Sequence, residues 1–423
     1  MLQLSYLREN TNEAIERLSK KIANAKEGVE AVLLVDDKRR AAQKELDDVL
    51  AVSNKLAKEI GDLYKSGQRE KADELKQQTV VQKEKEKTLL GQLEKLEAEL
   101  KDALVILPNA PSPMVPVGRT PEDNEVVKTW GTMPALQEGA KPHWELTTQY
   151  DLIDFETGAK ITGAGFPVYR GKGARLQRAL INFFLDEGLK AGYFEIQPPI
   201  FINEDSGFGT GQLPDKEGQM YHMQLDNLYA IPTAEVPITN LYRDVIVRED
   251  ELPIKNMGYT PCFRREAGSY GKDVRGLNRL HQFDKVEIVQ VTTPEKSYET
   301  LEQMSEYVQS LLQKLELHYR VLRLCGGDMS FASALTYDME VYSAAQQRWL
   351  EVSSVSNFET FQANRLKLRY KNSEGKNIIA HTLNGSALAL PRIVAALLEN
   401  NQTPDGIVLP KVLHPYTGFE IIK

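Results

Sequence analysis

The chain has 423 residues, 41% hydrophobic and 26% charged, enough for two or three domains with at least one large core, and carries a formal charge of -8 at pH 7. That balance excludes a protein that coats nucleic acid wholesale, while leaving room for a local basic surface on one domain. Two cysteines, Cys262 and Cys325, exclude a disulfide framework or a thiolate zinc site and fit a reducing, cytoplasmic setting. The N-terminal stretch MLQLSYLREN has no signal-peptide core, and no apolar run approaches a membrane span.

Residues 36 to 102 are dense in charges of both signs, contain no proline and carry leucines at helical spacing. Leu46, Val49, Leu56, Ile60 and Leu63 form one seam, and Leu89, Leu93, Leu96 and Leu100 a second. Between them Gly67 is placed to close a turn, so the spacing predicts an antiparallel helical hairpin about 40 Å long. Thr79, Gln82 and Glu86 occupy seam positions toward its outer end, which is therefore wet. Lys55, Lys58, Lys83, Lys85 and Lys87 suit a phosphate backbone, but charge runs alone do not separate a nucleic-acid arm from a spacer coiled coil.

LPNAPSPMVPVG, residues 107 to 118, holds four prolines and ends the hairpin. The expected division is a hairpin domain over 1–107, a linker over 108–118 and a second domain over 119–423. In that second domain β-branched and aromatic stretches alternate with helical segments at 174 to 191 and 294 to 317, which predicts an α+β fold with a largely antiparallel sheet.

The stretch FRREAGSYGKDVRGL, residues 263 to 277, concentrates arginines, a lysine and glycines beside Glu266, the composition of a loop that meets an anion. It is not a P-loop, because Gly271 and Lys272 are followed by Asp273 and position 266 is glutamate. If PCFRRE and HQFDKVEI are strands, alternation puts Cys262, Arg264 and Glu266 on one face, and Phe283, Lys285 and Glu287 on one face of the second. Arg264 is then suited to clamp a phosphate, Phe283 to stack on a base and Glu287 to accept from an ammonium group; an ordinary polar hairpin stays open. Farther on, Gly385 and Ser386 permit close ligand approach, and Arg392 opens the apolar helix that follows. A cation at a helix N-terminus is disfavoured unless an anion compensates it. The histidines show no metal-ligand spacing and receive no catalytic role.

Three segments in order carry a resemblance: a helix leading to a strand ending at Pro199, Phe263-Arg264-Arg265-Glu266 with its loop and return strand to Glu287, and Gly385 to Arg392. Together they resemble the motifs of class II aminoacyl-tRNA synthetases. TGQLP at 210 to 214, the TAE triplet Thr233-Ala234-Glu235, EVSS at 351 to 354 and the N-terminal hairpin resemble the seryl-tRNA synthetase family over essentially the whole chain. Only 31 residues follow Arg392 in the chain of 423, too few for an anticodon-binding domain, and serine codons share no common anticodon. The resemblance implies instead that the hairpin grips the long variable arm of tRNA(Ser); it leaves open whether tRNA(Sec) is a second substrate.

The same resemblance implies ATP-dependent activation of L-serine and its transfer to tRNA by a bacterial-type homodimer. It implies that Arg264, Arg265, Glu266, Leu280, Phe283, Glu351, Val352, Ser353, Ser354 and Arg392 hold ATP, with Arg264 and Arg392 on its α- and γ-phosphates as the catalytic pair. It places serine at Thr233, Ala234, Glu235, Glu287 and Ser386, and Mg²⁺ at Glu351 and Ser354. Read from the residues alone, Thr233 and Glu235 equally fit a helix N-cap before VPITNLY.

Overall fold

The computed structural model describes residues 1–215, 217–266 and 275–423. The chain divides into two compact units, Leu2–Pro108 and Asn109–Lys423, with Met1 belonging to the second.

In the first unit two long helices, Ala25–Lys65 (α1) and Arg69–Val105 (α2), pair as an antiparallel hairpin. At 1.5 Å per residue the 41 residues of α1 run about 60 Å, longer than the charged stretch alone implies. The helix begins earlier because Val29 and Val32 continue its buried stripe upstream of residue 36. Ala42, Leu46 and Val49 pack against Leu89, Leu93 and Leu96, the predicted seams. Gly67 closes the turn at φ 76°: its N–H donates to the Tyr64 carbonyl and the Gln68 N–H to that of Leu63, capping α1. Toward the tip Thr79, Gln82 and Glu86 are only half-buried, so little apolar surface holds that end. Nearer the base the buried Asp36 carboxylate accepts from Arg8 Nε at 2.5 Å and from Arg39 Nη2 at 2.7 Å. Burial pushes that carboxyl up, but the two guanidiniums outweigh it and hold it below its ordinary range.

The second unit is built on an eight-stranded sheet. Its strands are Glu125–Trp130 (β1), Phe194–Glu195 (β2), Ile254–Phe263 (β3), Gln282–Thr292 (β4), Tyr319–Arg323 (β5), Leu335–Ser343 (β6), Arg348–Asn357 (β7) and His381–Ala389 (β8). They lie in the order β1-β5-β6-β7-β8-β4-β3-β2; every pairing is antiparallel except that of β2 with β3. Helices Gly171–Lys190 (α3), Ser297–Lys314 (α4) and Leu390–Asn400 (α5) supply the main core, where Leu180, Phe184, Leu311 and Leu397 meet Val286 and Ile288 of β4. Because strand side chains alternate, Phe283, Lys285, Glu287 and Val289 leave β4 from the other face. There Val289 packs on Ala234 and Ile238. One face of β4 is thus core and the other is available for chemistry.

The proline-rich segment does not hang between the units as a bare tether. Asn109 gives its main-chain N–H to the Phe331 carbonyl and its side-chain amide to the carbonyls of Ala332 and Phe358, and the Ser112 N–H donates to Ala334. Prolines there leave few backbone donors to satisfy, so the chain can lie buried against the second unit.

Candidate active site

The register of β3 on β4 sets Cys262 opposite Phe283, Thr260 opposite Lys285 and Gly258 opposite Glu287. β3 ends at Phe263, and Glu266 is reached through a left-handed residue of its own, φ 49°, not by strand alternation. The expected extended PCFRRE strand is therefore three residues too long. Arg264 turns its guanidinium over the Phe283 ring, 5.2 Å from its centre, with Nε 3.4 Å from the Pro232 carbonyl. Arg265 lies over Tyr221 in the same way, and Glu266 accepts from Arg279 Nη1 at 2.6 Å. The central glycines of the basic stretch, with Lys272, lie outside the described residues.

Beside Phe283 the same face of β4 carries a buried cluster of charges. Lys285 Nζ is 2.5 Å from Glu287 Oε2 and donates to the Thr233 hydroxyl at 2.9 Å. Ser386, opposite Glu287 on β8, donates to that carboxylate at 3.4 Å. Glu235 faces the same cluster with a different partner, accepting from Gln362 Nε2 at 2.7 Å; Gln362 is fixed in turn by the Thr382 hydroxyl. Burial first, and the nearby Glu287 second, push the Glu235 carboxyl from its ordinary 4.5 to about 7. The buried Asn384 side-chain amide approaches the same carboxylate and favours its ionised form. The Thr233 hydroxyl accepts from the Glu235 N–H at 3.2 Å, but the short helix Glu235–Asn240 has Ala234 at its N-cap and no side-chain cap, so Thr233 precedes the cap position that the N-cap reading gave it.

A third group forms around β7. A bulge at Val352 lets Glu351 pair with Glu340 while Ser353 and Ser354 pair with Met339 and Asp338. Without that extra residue Glu351 and Ser354, three apart, would leave opposite faces of the strand; with it they share one. Asp338 lies beside them with one buried oxygen lacking a partner, and burial followed by the Glu351 charge raises its carboxyl well above the usual range. Arg392 comes across from α5: Nη1 donates to the Glu351 carbonyl at 2.7 Å and approaches its carboxylate at 3.6 Å, and Nε donates to the Asn278 carbonyl at 3.1 Å. Ser353 donates to the Ser386 carbonyl at 2.6 Å and ties this group to the buried charges. Ala234, Leu280 and Val352 send their side chains into apolar clusters, so only their main-chain atoms are open to a ligand.

Two arginines, a half-buried aromatic ring and a set of buried carboxylates thus gather around one sheet surface. Residues 1–111 match the family model of the seryl-tRNA synthetase N-terminal domain, and residues 221–401 that of the tRNA synthetase class II core domain (G, H, P, S and T). Over 421 residues the chain is 52% identical to the serine–tRNA ligase of Salinibacter ruber, covering 99% of this chain and 98% of that one. The chain belongs to the seryl-tRNA synthetase family. A second family member, the serine–tRNA ligase of Chlorobaculum parvum, is 47% identical over 428 residues and the full length of both proteins. The seryl-tRNA synthetase of Pyrococcus horikoshii, solved with ATP, superposes with a TM-score of 0.94 at 34% identity, over 100% of this chain and 99% of that one. Within this seryl-tRNA synthetase fold the sequence reading assigned no role to Lys285 or Gln362. Lys285 was legible as the middle of the alternating Phe283, Lys285, Glu287 triplet; Gln362 had no such signal, since it lies 127 residues from Glu235.

Proposed function

We propose that this chain is a serine–tRNA ligase that activates L-serine with ATP and passes the seryl group to the 3′ end of tRNA(Ser). The observation that carries the reading is the buried Thr233, Glu235, Lys285, Glu287 and Ser386 pocket set beside Arg264. Glu287 is already neutralised by Lys285 and accepts from the Ser386 hydroxyl, which suits it to the hydroxyl of serine. Glu235 has an amide as its hydrogen-bond donor, so its charge is left for the serine ammonium group. This reverses the expectation that Glu287 meets the ammonium group.

In the first step a serine carboxylate oxygen attacks the α-phosphorus; the bond to the α,β-bridging oxygen breaks and pyrophosphate leaves. The attacking carboxylate is already anionic, so the chain supplies position and positive charge and no strong base is needed. Arg264 holds the α-phosphate while Phe283 stacks under the adenine whose edge meets Glu266; Arg265, together with main-chain atoms at Leu280, Val352 and Ser353, frames the nucleotide. Arg392 takes the γ-phosphate, exchanging its contact with Glu351 for it. The bulge that sets Glu351 and Ser354 on one face, beside the unpartnered Asp338 oxygen, offers the hard oxygen donors that Mg²⁺ requires. Bound there, Mg²⁺ would neutralise phosphate charge. In the second step the 3′-terminal ribose hydroxyl attacks the seryl carbonyl and AMP leaves.

Residues 1–107 form the tRNA-binding arm, 108–118 the connection and 119–423 the catalytic domain. The seryl-tRNA synthetase model matched by 1–111 and the length of α1 support the arm's role. Charging of tRNA(Ser) with radiolabelled serine is expected to fall at least about 100-fold when the long variable arm of the tRNA is deleted, since that removes a set of phosphate contacts. Serine-dependent pyrophosphate exchange needs no tRNA and should not change. Equal charging of both tRNAs would refute the role of the arm. The enzyme works as a homodimer; Phe194 on the edge strand β2 is 71% exposed, beside a cleft of about 500 Å³ lined by Gln177, Ile181, Glu195 and Tyr259. We place it in the cytoplasm: among the described residues no helix is long and apolar enough to cross a membrane, and both thiols are unpaired and buried.

A further inference from the structure

His143 opens the helix His143–Gln149, far from the pocket in sequence and wholly buried. Its Nδ1 lies 2.6 Å from Glu399 Oε1 of α5, and the same oxygen accepts from the His143 main-chain N–H at 2.8 Å and from Gln346 Nε2 at 2.9 Å. The other Glu399 oxygen accepts from the Ser343 hydroxyl. On its far side the ring accepts the Leu277 N–H at Nε2, 2.8 Å away, so Nδ1 carries the hydrogen given to Glu399. Gly276 sits so close that a Cβ there would fall 2.3 Å from Nε2, and its φ of 66° also favours glycine. Asn278, which follows Leu277, donates its side-chain amide to Gln346 at 3.0 Å, and its carbonyl accepts from Arg392 Nε at 3.1 Å.

A buried carboxylate surrounded by four donors is costly to assemble, and once complete it holds its neighbours in a single arrangement. Here that arrangement ends at Arg392. We propose that His143 is a positioning residue for ATP: it clips Leu277 and Asn278 to α5 and so aims the Arg392 guanidinium. The inference rests on the reading of Arg392 as the phosphate ligand.

The two ends of the imidazole can be separated. In His143→Gln the side-chain amide reaches the Nε2 position and keeps an acceptor for Leu277; in His143→Asn it reaches only the Nδ1 position and keeps the contact to Glu399. The dissociation constant for ATP, by titration calorimetry on the full chain, and KM for ATP in pyrophosphate exchange are expected to rise about tenfold or more in His143→Asn, with KM for serine unchanged. His143→Gln should restore most of the ATP affinity even where both variants melt at a lower temperature. Gln346→Ala, which cuts the Asn278 link and one donor to Glu399 but leaves the imidazole with its Glu399 and Leu277 contacts, should also weaken ATP binding. Equal ATP affinities in the two histidine variants, or a matching rise in KM for serine, would overturn the proposal; should neither variant fold, unchanged ATP affinity in Gln346→Ala would do so. Because calorimetry reads ATP without an amino acid, a parent protein that binds ATP but fails to exchange with serine would strike the functional reading alone.

Discussion

Arg264→Ala is expected to reduce kcat/KM for serine-dependent pyrophosphate exchange by about 10³-fold, the scale of losing one preorganised donor to a charge that develops in the transition state. Arg264 leaves the end of β3 with its guanidinium stacked over Phe283, and Nε makes only a long 3.4 Å contact with Pro232. The outer fork therefore remains available for two phosphate oxygens at once. Arg264→Lys keeps the charge but not the fork or the stack, so it should recover only part of the loss. The substitution removes no buried partner, and the melting temperature should stay near that of the parent. Exchange within about tenfold of the parent in Arg264→Ala would remove this residue from the α-phosphate.

Glu235→Gln is expected to raise KM for serine about 100-fold, near 3 kcal/mol, as the cost of losing the charged partner of a buried ammonium group. The pH dependence is the sharper signature. Burial and Glu287 raise the Glu235 carboxyl to about 7, so near neutrality a large share of the unliganded protein carries the proton. The serine ammonium group selects the ionised form. KM for serine should therefore fall as pH rises through 7, with up to one proton released on binding below that pH and fewer above it; Glu235→Gln should flatten that slope. Stability runs in the opposite direction: a carboxyl raised in the folded state favours the fold below its ordinary value, and that contribution is lost as pH rises through 7. Calorimetric serine titrations in buffers of different ionisation enthalpy read the released proton directly. A KM for serine that is level from pH 6 to 8 would contradict the assignment.

Periodicity made the hairpin legible. Leu46, Val49, Leu89, Leu93 and Leu96 meet where their spacing places them, and Gly67 closes the turn. It gave the wrong upstream limit because residues 25 to 35 are less charged than the rest of α1, although Val29 and Val32 keep the stripe. In the second unit the alternation of Phe283, Lys285 and Glu287 was readable because a half-buried strand has a period of two. The reach of β3 was not: nothing in Arg264-Arg265-Glu266 marks the end of the strand at Phe263 or the left-handed Glu266 beyond it. Nor was the shared face of Glu351 and Ser354 derivable from their spacing, since it depends on a bulge made by pairing with β6. His143 was passed over as a histidine without metal spacing. Its meaning comes from Glu399, 256 residues away, and only the packing of α5 brings the two together.

The most direct test of the central claim is ATP–pyrophosphate exchange by the purified full chain with each of the twenty amino acids in turn. The arrangement around Lys285 predicts exchange with serine, with alanine rejected by about 10⁴-fold because it brings no hydroxyl to the buried Glu287 carboxylate and water is shut out of its place. Exchange that favours another amino acid, or none at all with any of them, would contradict the account.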